Sequence, residues 1–78
     1  MNKQRRATLQ SVLDKIEAIK DELEAAKDDE QEAFDNMTES LQGSEKGQAA
    51  EEAVGNMEEA LGSLDEAFTS IENAQGEC

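Results

Sequence analysis

The sequence lacks proline, histidine, tryptophan and tyrosine, and it has only two phenylalanines and one cysteine in 78 residues. Without proline, no position forces a break in a helix. Without histidine, the common nucleophile–base pairs and zinc sites cannot be assembled, and a di-iron site lacks its Glu-x-x-His pairs. The single cysteine, Cys78, cannot form a disulfide within the chain. We therefore expect a protein that is not an enzyme, with no catalytic residues, no metal and no other cofactor.

Long apolar runs are also absent. No stretch of the sequence approaches the roughly 18 apolar residues of a membrane-spanning helix. The first six residues, MNKQRR, carry positive charge with no apolar segment behind them, so they do not resemble a signal peptide. We expect a soluble cytoplasmic protein that does not bind membranes.

What the sequence does contain is a seven-residue pattern, which occurs three times over residues 51–71 as EEAVGNM, EEALGSL and DEAFTSI. Larger apolar residues occupy the fourth and seventh positions, and alanine occupies the third. This spacing is the heptad pattern of helices that pack along one seam. Because alanine widens the apolar arc to about three positions in seven, the pattern favours a helical bundle.

The first half of the chain has the same spacing from Leu9 to Ala26, and Leu13 widens its apolar stripe. Glu30 interrupts the stripe, so either the register loosens there or the helix turns its face. The two seams together supply the residues that we expect at an oligomer interface. These are Leu9, Val12, Ile16, Ile19, Leu23, Val54, Met57, Leu61, Leu64, Phe68 and Ile71.

Helix caps and glycines are concentrated between the two halves. Thr38 and Ser44 can each accept an amide hydrogen from a new first turn, so both are predicted N-caps. The predicted segments are a first helix over residues 3–35, a turn over 36–43, a second helix over 44–74 and a frayed end over 75–78. Matched lengths and a short connection predict one all-α domain, an antiparallel helical hairpin. Since one hairpin leaves part of each broad stripe uncovered, we expect a homodimeric four-helix bundle or a higher oligomer.

Charge is distributed unevenly along the chain. The net charge is −13, but residues 1–20 carry +3 and residues 21–78 carry −16. In an antiparallel hairpin, the basic start of the first helix lies near the acidic end of the second helix. We expect Arg5 or Arg6 to form exposed ion pairs there with acidic residues of the second helix, Glu72 or Glu77.

The same cationic side chains have a second interpretation. Lys3, Arg5 and Arg6 form a basic cluster at the start of the chain. If the protein is an oligomer, several copies of this cluster could gather into a binding site for phosphate groups.

Acidic side chains recur in each heptad, roughly 10 Å apart along a helix. They form the acidic row, which consists of Glu51, Glu52, Glu58, Glu59, Asp65 and Glu66. A regular row of negative charge can bind the basic groove of a nucleic-acid-binding protein, and it repels nucleic acid itself. The alternative is a solvated surface that keeps an oligomer soluble.

Two glycines, Gly55 and Gly62, lie seven residues apart within the second predicted helix. Each should cost roughly 1 kcal/mol there relative to alanine. A glycine flank would allow another backbone to approach closely.

The middle of the chain reads EAFDNMTESLQGSEKG over residues 32–47, followed by AAEEA over residues 49–53. This stretch resembles the centre of small, acidic, helical accessory proteins encoded by phages and prophages of Gram-positive bacteria, and the resemblance covers most of the chain. That group has proline where this chain has Thr38, a difference that concerns only how the turn is made. The resemblance implies a viral accessory protein in a bacterial host cell, and it implies no particular activity.

Three functions fit these observations. The first is a non-enzymatic inhibitor that binds a host protein, such as an anti-phage defence protein, through the acidic row. The second is an oligomeric sponge that sequesters a nucleotide signal through Lys3, Arg5 and Arg6. The third is a structural or assembly protein. In all three we expect the chain to associate with copies of itself and not to bind nucleic acid directly.

Overall fold

The computed structural model describes residues 2–77, which form three α-helices and no strand. The helices are α1 (Lys3–Asp35), α2 (Glu39–Gln42) and α3 (Glu45–Gly76). The two long helices, α1 and α3, pack side by side as a hairpin that measures 58 × 15 × 12 Å. The predictions of an all-α fold and of a helical hairpin are confirmed.

The first helix begins directly after Asn2, whose side-chain oxygen accepts a hydrogen bond from the amide of Arg5 at 2.8 Å. This contact satisfies one of the four amide groups that a helix leaves unpaired at its start. From there α1 continues without interruption past Glu30, which is partly buried. An acidic residue in the apolar stripe therefore does not break the helix.

A short helix, α2, occupies the segment where the sequence predicts a turn. Thr38 caps α2, since its hydroxyl oxygen accepts a hydrogen bond from the amide of Leu41 at 3.3 Å. Ser44 caps α3 in the same way by accepting from the amide of Gly47 at 3.4 Å. Both predicted N-caps are confirmed, and the chain makes this connection without proline.

The close approach of α2 and α3 depends on Gly47, which is buried. A Cβ atom built on this residue would overlap the carbonyl oxygen of Gln42 and would lie 2.5 Å from its carbonyl carbon. The side chain of Gln42 also reaches α1, because its amide donates to the carbonyl oxygen of Phe34 at 3.0 Å. All three helices therefore meet at this end of the hairpin.

Two side-chain contacts show the register in which α1 lies against α3. Lys20 forms an ion pair with Asp65, and the side-chain amide of Gln75 donates to the side-chain oxygen of Gln10 at 3.0 Å. Gln10 lies ten residues before Lys20, and Gln75 lies ten residues after Asp65. Both contacts thus belong to a single antiparallel register.

The face of α1 that lies against α3 includes most of the predicted seam but is shifted around the helix towards Leu13. Ile19 and Ala26 fall on the predicted seam but are exposed. The residues of α1 from 9 to 34 that are at least partly buried are Leu9, Val12, Leu13, Ile16, Lys20, Leu23, Lys27, Glu30 and Phe34. The two lysines can lie there because their aliphatic stems cover apolar surface while their ammonium groups reach solvent.

The apolar stripe of α3, in contrast, lies inside the hairpin. Its six larger apolar residues between positions 54 and 71 are all at least partly buried. Even so, the buried apolar side chains of the described residues are only Leu13, Ala50 and Val54, which are 3%, 4% and 8% exposed. The hairpin has a thin core along its length.

The last helix is longer than the sequence suggests. It runs to Gly76, two residues beyond the predicted end, and Glu77 follows it as the C-cap. Part of the predicted frayed end is therefore helical, and Cys78 lies outside the described residues.

Candidate functional site

The acidic row lies on the exposed surface of α3. All six of its residues are exposed. Each acidic pair directly follows an apolar residue that packs towards α1. Because each residue advances the helix by about 100°, the acidic side chains lie outside the contact with α1. At 1.5 Å per residue, successive acidic pairs are about 10 Å apart and the row is roughly 22 Å long.

One member of the row is engaged within the chain. The ammonium of Lys20 forms an ion pair with the carboxylate of Asp65 and lies 5.6 Å from the centroid of the Phe68 ring. The hydrogen bond to Asp65 raises the pKa of Lys20 above its ordinary value of 10.5, and the charges of Glu17 and Asp21 act in the same direction. Partial desolvation of the lysine opposes this shift.

The other five carboxylates of the row form no ion pair within residues 2–77. In that part of the chain, the second ion pair joins Lys27 to its neighbour Asp28, with 3.8 Å between Nζ and Oδ1. Glu51, Glu52 and the rest of the row apart from Asp65 thus keep their charge available to a partner.

The basic cluster lies at the opposite end of the hairpin from α2. Lys3, Arg5 and Arg6 are exposed in the first two turns of α1. The positive end of a helix dipole also lies there, so these cations are placed unfavourably, by about 0.3–1 kcal/mol each. No acidic residue in the first turn of α1 compensates for this.

The ion pairs expected at this end are not formed. Neither Arg5 nor Arg6 has a carboxylate of Glu72 or Glu77 within 4.0 Å among the described residues. The end is instead joined by Gln75, whose side-chain amide donates to the carbonyl oxygen of Arg6 at 3.2 Å and to Gln10. A neutral amide can satisfy a main-chain carbonyl group, whereas long exposed arginines lose side-chain entropy when they are held in an ion pair.

Most residues assigned from the sequence to an oligomer interface contribute to the interior of the hairpin. Ile19 is the exception, because its side chain is 50% exposed. Ile19, Glu22, Leu23 and Ala26 line a shallow depression of about 310 Å³, and all four lie on α1. This depression was not predicted, although the breadth of the apolar stripes predicted that part of each helix would remain uncovered by the hairpin.

The two glycines of α3 face open space. A Cβ atom built on Gly55 or on Gly62 would meet no atom within 4 Å. No backbone of the described chain therefore makes the close approach that the glycine flank suggested.

Groups of carboxylate or thiol side chains that could hold a metal ion are not found within residues 2–77. In the same part of the chain, no helix is both long and apolar enough to span a bilayer. Comparison of the chain with protein-family models, with curated protein sequences and with solved structures found no significant match.

Proposed function

We propose that this chain is a non-enzymatic binding protein whose acidic row engages a basic surface of another protein. One observation carries the proposal: five of the six carboxylates in the row are exposed and form no ion pair within the described residues. Lys20 pairs with Asp65, whereas the other five carboxylates face solvent, where a partner can reach them.

The chemistry of the row selects the partner. Exposed carboxylates along one rigid helix create a negative potential that attracts Lys and Arg side chains and accelerates their encounter. A groove that normally contacts phosphate groups carries such cations at regular intervals. The row would therefore occupy the nucleic-acid-binding groove of the partner without binding nucleic acid itself.

The biological setting follows from the resemblance to accessory proteins of phages and prophages. In that setting, the partner is a protein of the bacterial host, and an anti-phage defence protein with a basic groove is the candidate that fits the charge. We further propose that the hairpin acts as a homo-oligomer, either a homodimeric four-helix bundle or a larger assembly.

A second function is favoured by a separate observation. Lys3, Arg5 and Arg6 are exposed, form no ion pair within the described residues, and stand at the unfavourable end of a helix dipole. Cations held in an unfavourable position can serve to bind anions. A sponge that sequesters a phosphorylated nucleotide through clustered copies of these residues is thus the alternative.

The test compares three variants of the full chain in which charged residues are replaced, by glutamine unless stated otherwise. The row variant replaces the five unpaired carboxylates: Glu51, Glu52, Glu58, Glu59 and Glu66. The control variant makes the same charge change at exposed acidic residues outside the row, with glutamine at Glu24, Glu32, Glu39 and Glu77 and asparagine at Asp29. The basic variant replaces Lys3, Arg5 and Arg6. Asp65 is left unchanged so that its contact with Lys20 is preserved.

The wild type and the variants are used to capture proteins from bacterial lysate, and the bound material is analysed by mass spectrometry for proteins and nucleotides. We expect a captured protein that is lost with the row variant, retained by the control variant and weakened by added salt. Equal capture by the row and control variants would refute the row as the binding surface. A nucleotide that is bound by the wild type and lost only with the basic variant would establish the sponge instead. If neither the captured proteins nor the bound nucleotides differ between the wild type and the variants, the structural or assembly function remains.

A further inference from the structure

The hairpin has one side on which apolar residues remain uncovered. On α1, exposed Ile19 lies about 100° around the axis from Lys20, and exposed Ala26 lies about 100° from Lys27; the two lysines are partly buried on the α3 side. Ile19 is 50% exposed, and the depression that it lines is open because every residue of its wall belongs to α1. An angle near 90° separates the two neighbours of a helix in a four-helix bundle.

The other helix contributes to the same side. On α3, the alanines at the third heptad position, including Ala60 and Ala67, lie about 80° around the axis from the larger apolar residues. Because α1 and α3 are antiparallel and both right-handed, these alanines and Ile19 emerge on one side of the hairpin. In the register of the Lys20–Asp65 contact, Ala67 and Ala60 are nearly level with Ile19 and Ala26. We call this surface the apolar side.

The acidic row does not obstruct the apolar side. The first heptad position, which includes Asp65, lies on the other side of the apolar stripe of α3 from the alanines. Lys20 reaches Asp65 there, on the side of the hairpin opposite Ile19. A second chain with the same negative charge can therefore approach the apolar side while both acidic rows point away from the contact.

The elongated hairpin has enough accessible surface for a contact of ordinary size. A compact folded protein of this mass, 8.5 kDa, has about 4,700 Å² of accessible surface, whereas this chain exposes 5604 Å². The excess of roughly 900 Å² is close to the roughly 800 Å² that each partner contributes to a stable protein–protein interface.

We propose that a second copy of this chain packs on the apolar side to form a two-fold symmetric four-helix bundle. Symmetry supplies the complementarity, because each copy presents bulky Ile19 and Leu23 on one helix and small Ala60 and Ala67 on the other. The protruding face of α1 in one copy can thus lie against the alanines of α3 in its partner. The interface excludes the larger apolar residues of α3, which are already used within each hairpin.

The test uses a pair of adjacent exposed alanines. Ala26 lies on the apolar side, while Ala25 lies about 100° away around α1 and outside it. The variants Ala26→Asp and Ala25→Asp introduce the same charge into the same helix. In sedimentation equilibrium we expect a dimer for the wild type and for Ala25→Asp, and a monomer for Ala26→Asp. A monomeric wild type, or two variants that behave alike, would overturn the proposal.

A second measurement covers the case in which Ala26→Asp unfolds the hairpin. In a Cys78→Ser background, the thiol introduced by Ala26→Cys should react with iodoacetamide more slowly than the thiol introduced by Ala25→Cys. The difference should vanish on dilution, because the dimer dissociates. Equal reaction rates at concentrations where the wild type is a dimer would place the interface elsewhere. The inference rests on the homo-oligomer of the proposed function, but its readouts concern assembly alone and therefore do not depend on whether the acidic row binds a partner.

Discussion

Lys20 of α1 forms an ion pair with Asp65 of α3 while its ammonium lies 5.6 Å from the centroid of the Phe68 ring. The same lysine thus contacts an acid and an aromatic ring that are three residues apart on the facing helix. Both partners favour the charged form of the lysine, the first through a charge-assisted hydrogen bond and the second through the ring quadrupole. This is the principal ionic contact between the two long helices in the described part of the chain.

The raised pKa of Lys20 predicts a loss of stability at alkaline pH. Because the pKa is higher in the folded chain than its ordinary value of 10.5, the contact stabilises the fold fully below pH 10.5 and loses this effect as pH rises through the higher, folded value. We expect the melting temperature, followed by circular dichroism, to fall above pH 10.5. The variant Asp65→Asn should have a lower melting temperature than the wild type at neutral pH, and its melting temperature should fall less above pH 10.5. Equal falls in both proteins would show that the other lysines cause the effect.

Glycine substitutions should have opposite effects at different positions of α3. Gly47→Ala should destabilise the fold by about 1–3 kcal/mol, because the added methyl group overlaps main-chain atoms of Gln42 that cannot move freely. Gly55→Ala and Gly62→Ala should each stabilise it by about 0.5–1 kcal/mol, since the methyl groups enter open space and alanine favours the helix. Chemical denaturation measures all three. A loss of stability or of the dimer in the latter two variants would mean that another backbone packs against that flank.

Added salt should stabilise the hairpin at neutral pH. The net charge is −13, and most carboxylates of α3 have no cation beside them, so repulsion along the helix opposes folding. Sodium chloride that shortens the Debye length from about 30 Å to about 8 Å should weaken this repulsion and raise the melting temperature. The row variant with five glutamines should respond less to salt than the wild type. A melting temperature that falls with salt would indicate that attractive pairs dominate.

The cap at Ser44 should contribute measurably to stability. Ser44→Ala removes the acceptor for the amide of Gly47, and the loss of such a cap typically costs about 1 kcal/mol. For a chain of this size that corresponds to a decrease of about 4–8 °C in melting temperature. The control is Ser70→Ala, at an exposed position six residues before the end of α3, which should be neutral or slightly stabilising. A similar decrease in both variants would refute the role of the cap.

The sequence by itself determined the local features of this protein. The absence of proline, the caps at Thr38 and Ser44 and the apolar spacing predict two long helices and a short connection, because each depends on residues within a few positions of one another. The exposure of the acidic row also follows from the sequence. The row occupies the first two positions of each heptad, and helical geometry places these positions outside the apolar seam regardless of which helix packs against that seam.

Only the tertiary structure decided which edge of the broad stripe on α1 faces α3. Leu13 and Ile19 lie on opposite edges, and the pattern of the sequence favours Ile19, yet Leu13 is buried and Ile19 is exposed. The choice depends on how two helices fit together, and contacts such as Lys20 with Asp65 join residues that are far apart in the chain. For the same reason the sequence did not predict that Gln75 would join the two ends in place of the arginines. Helical periodicity specifies which residues share one face of each helix, and the packing of α1 on α3 decides which of those residues are buried.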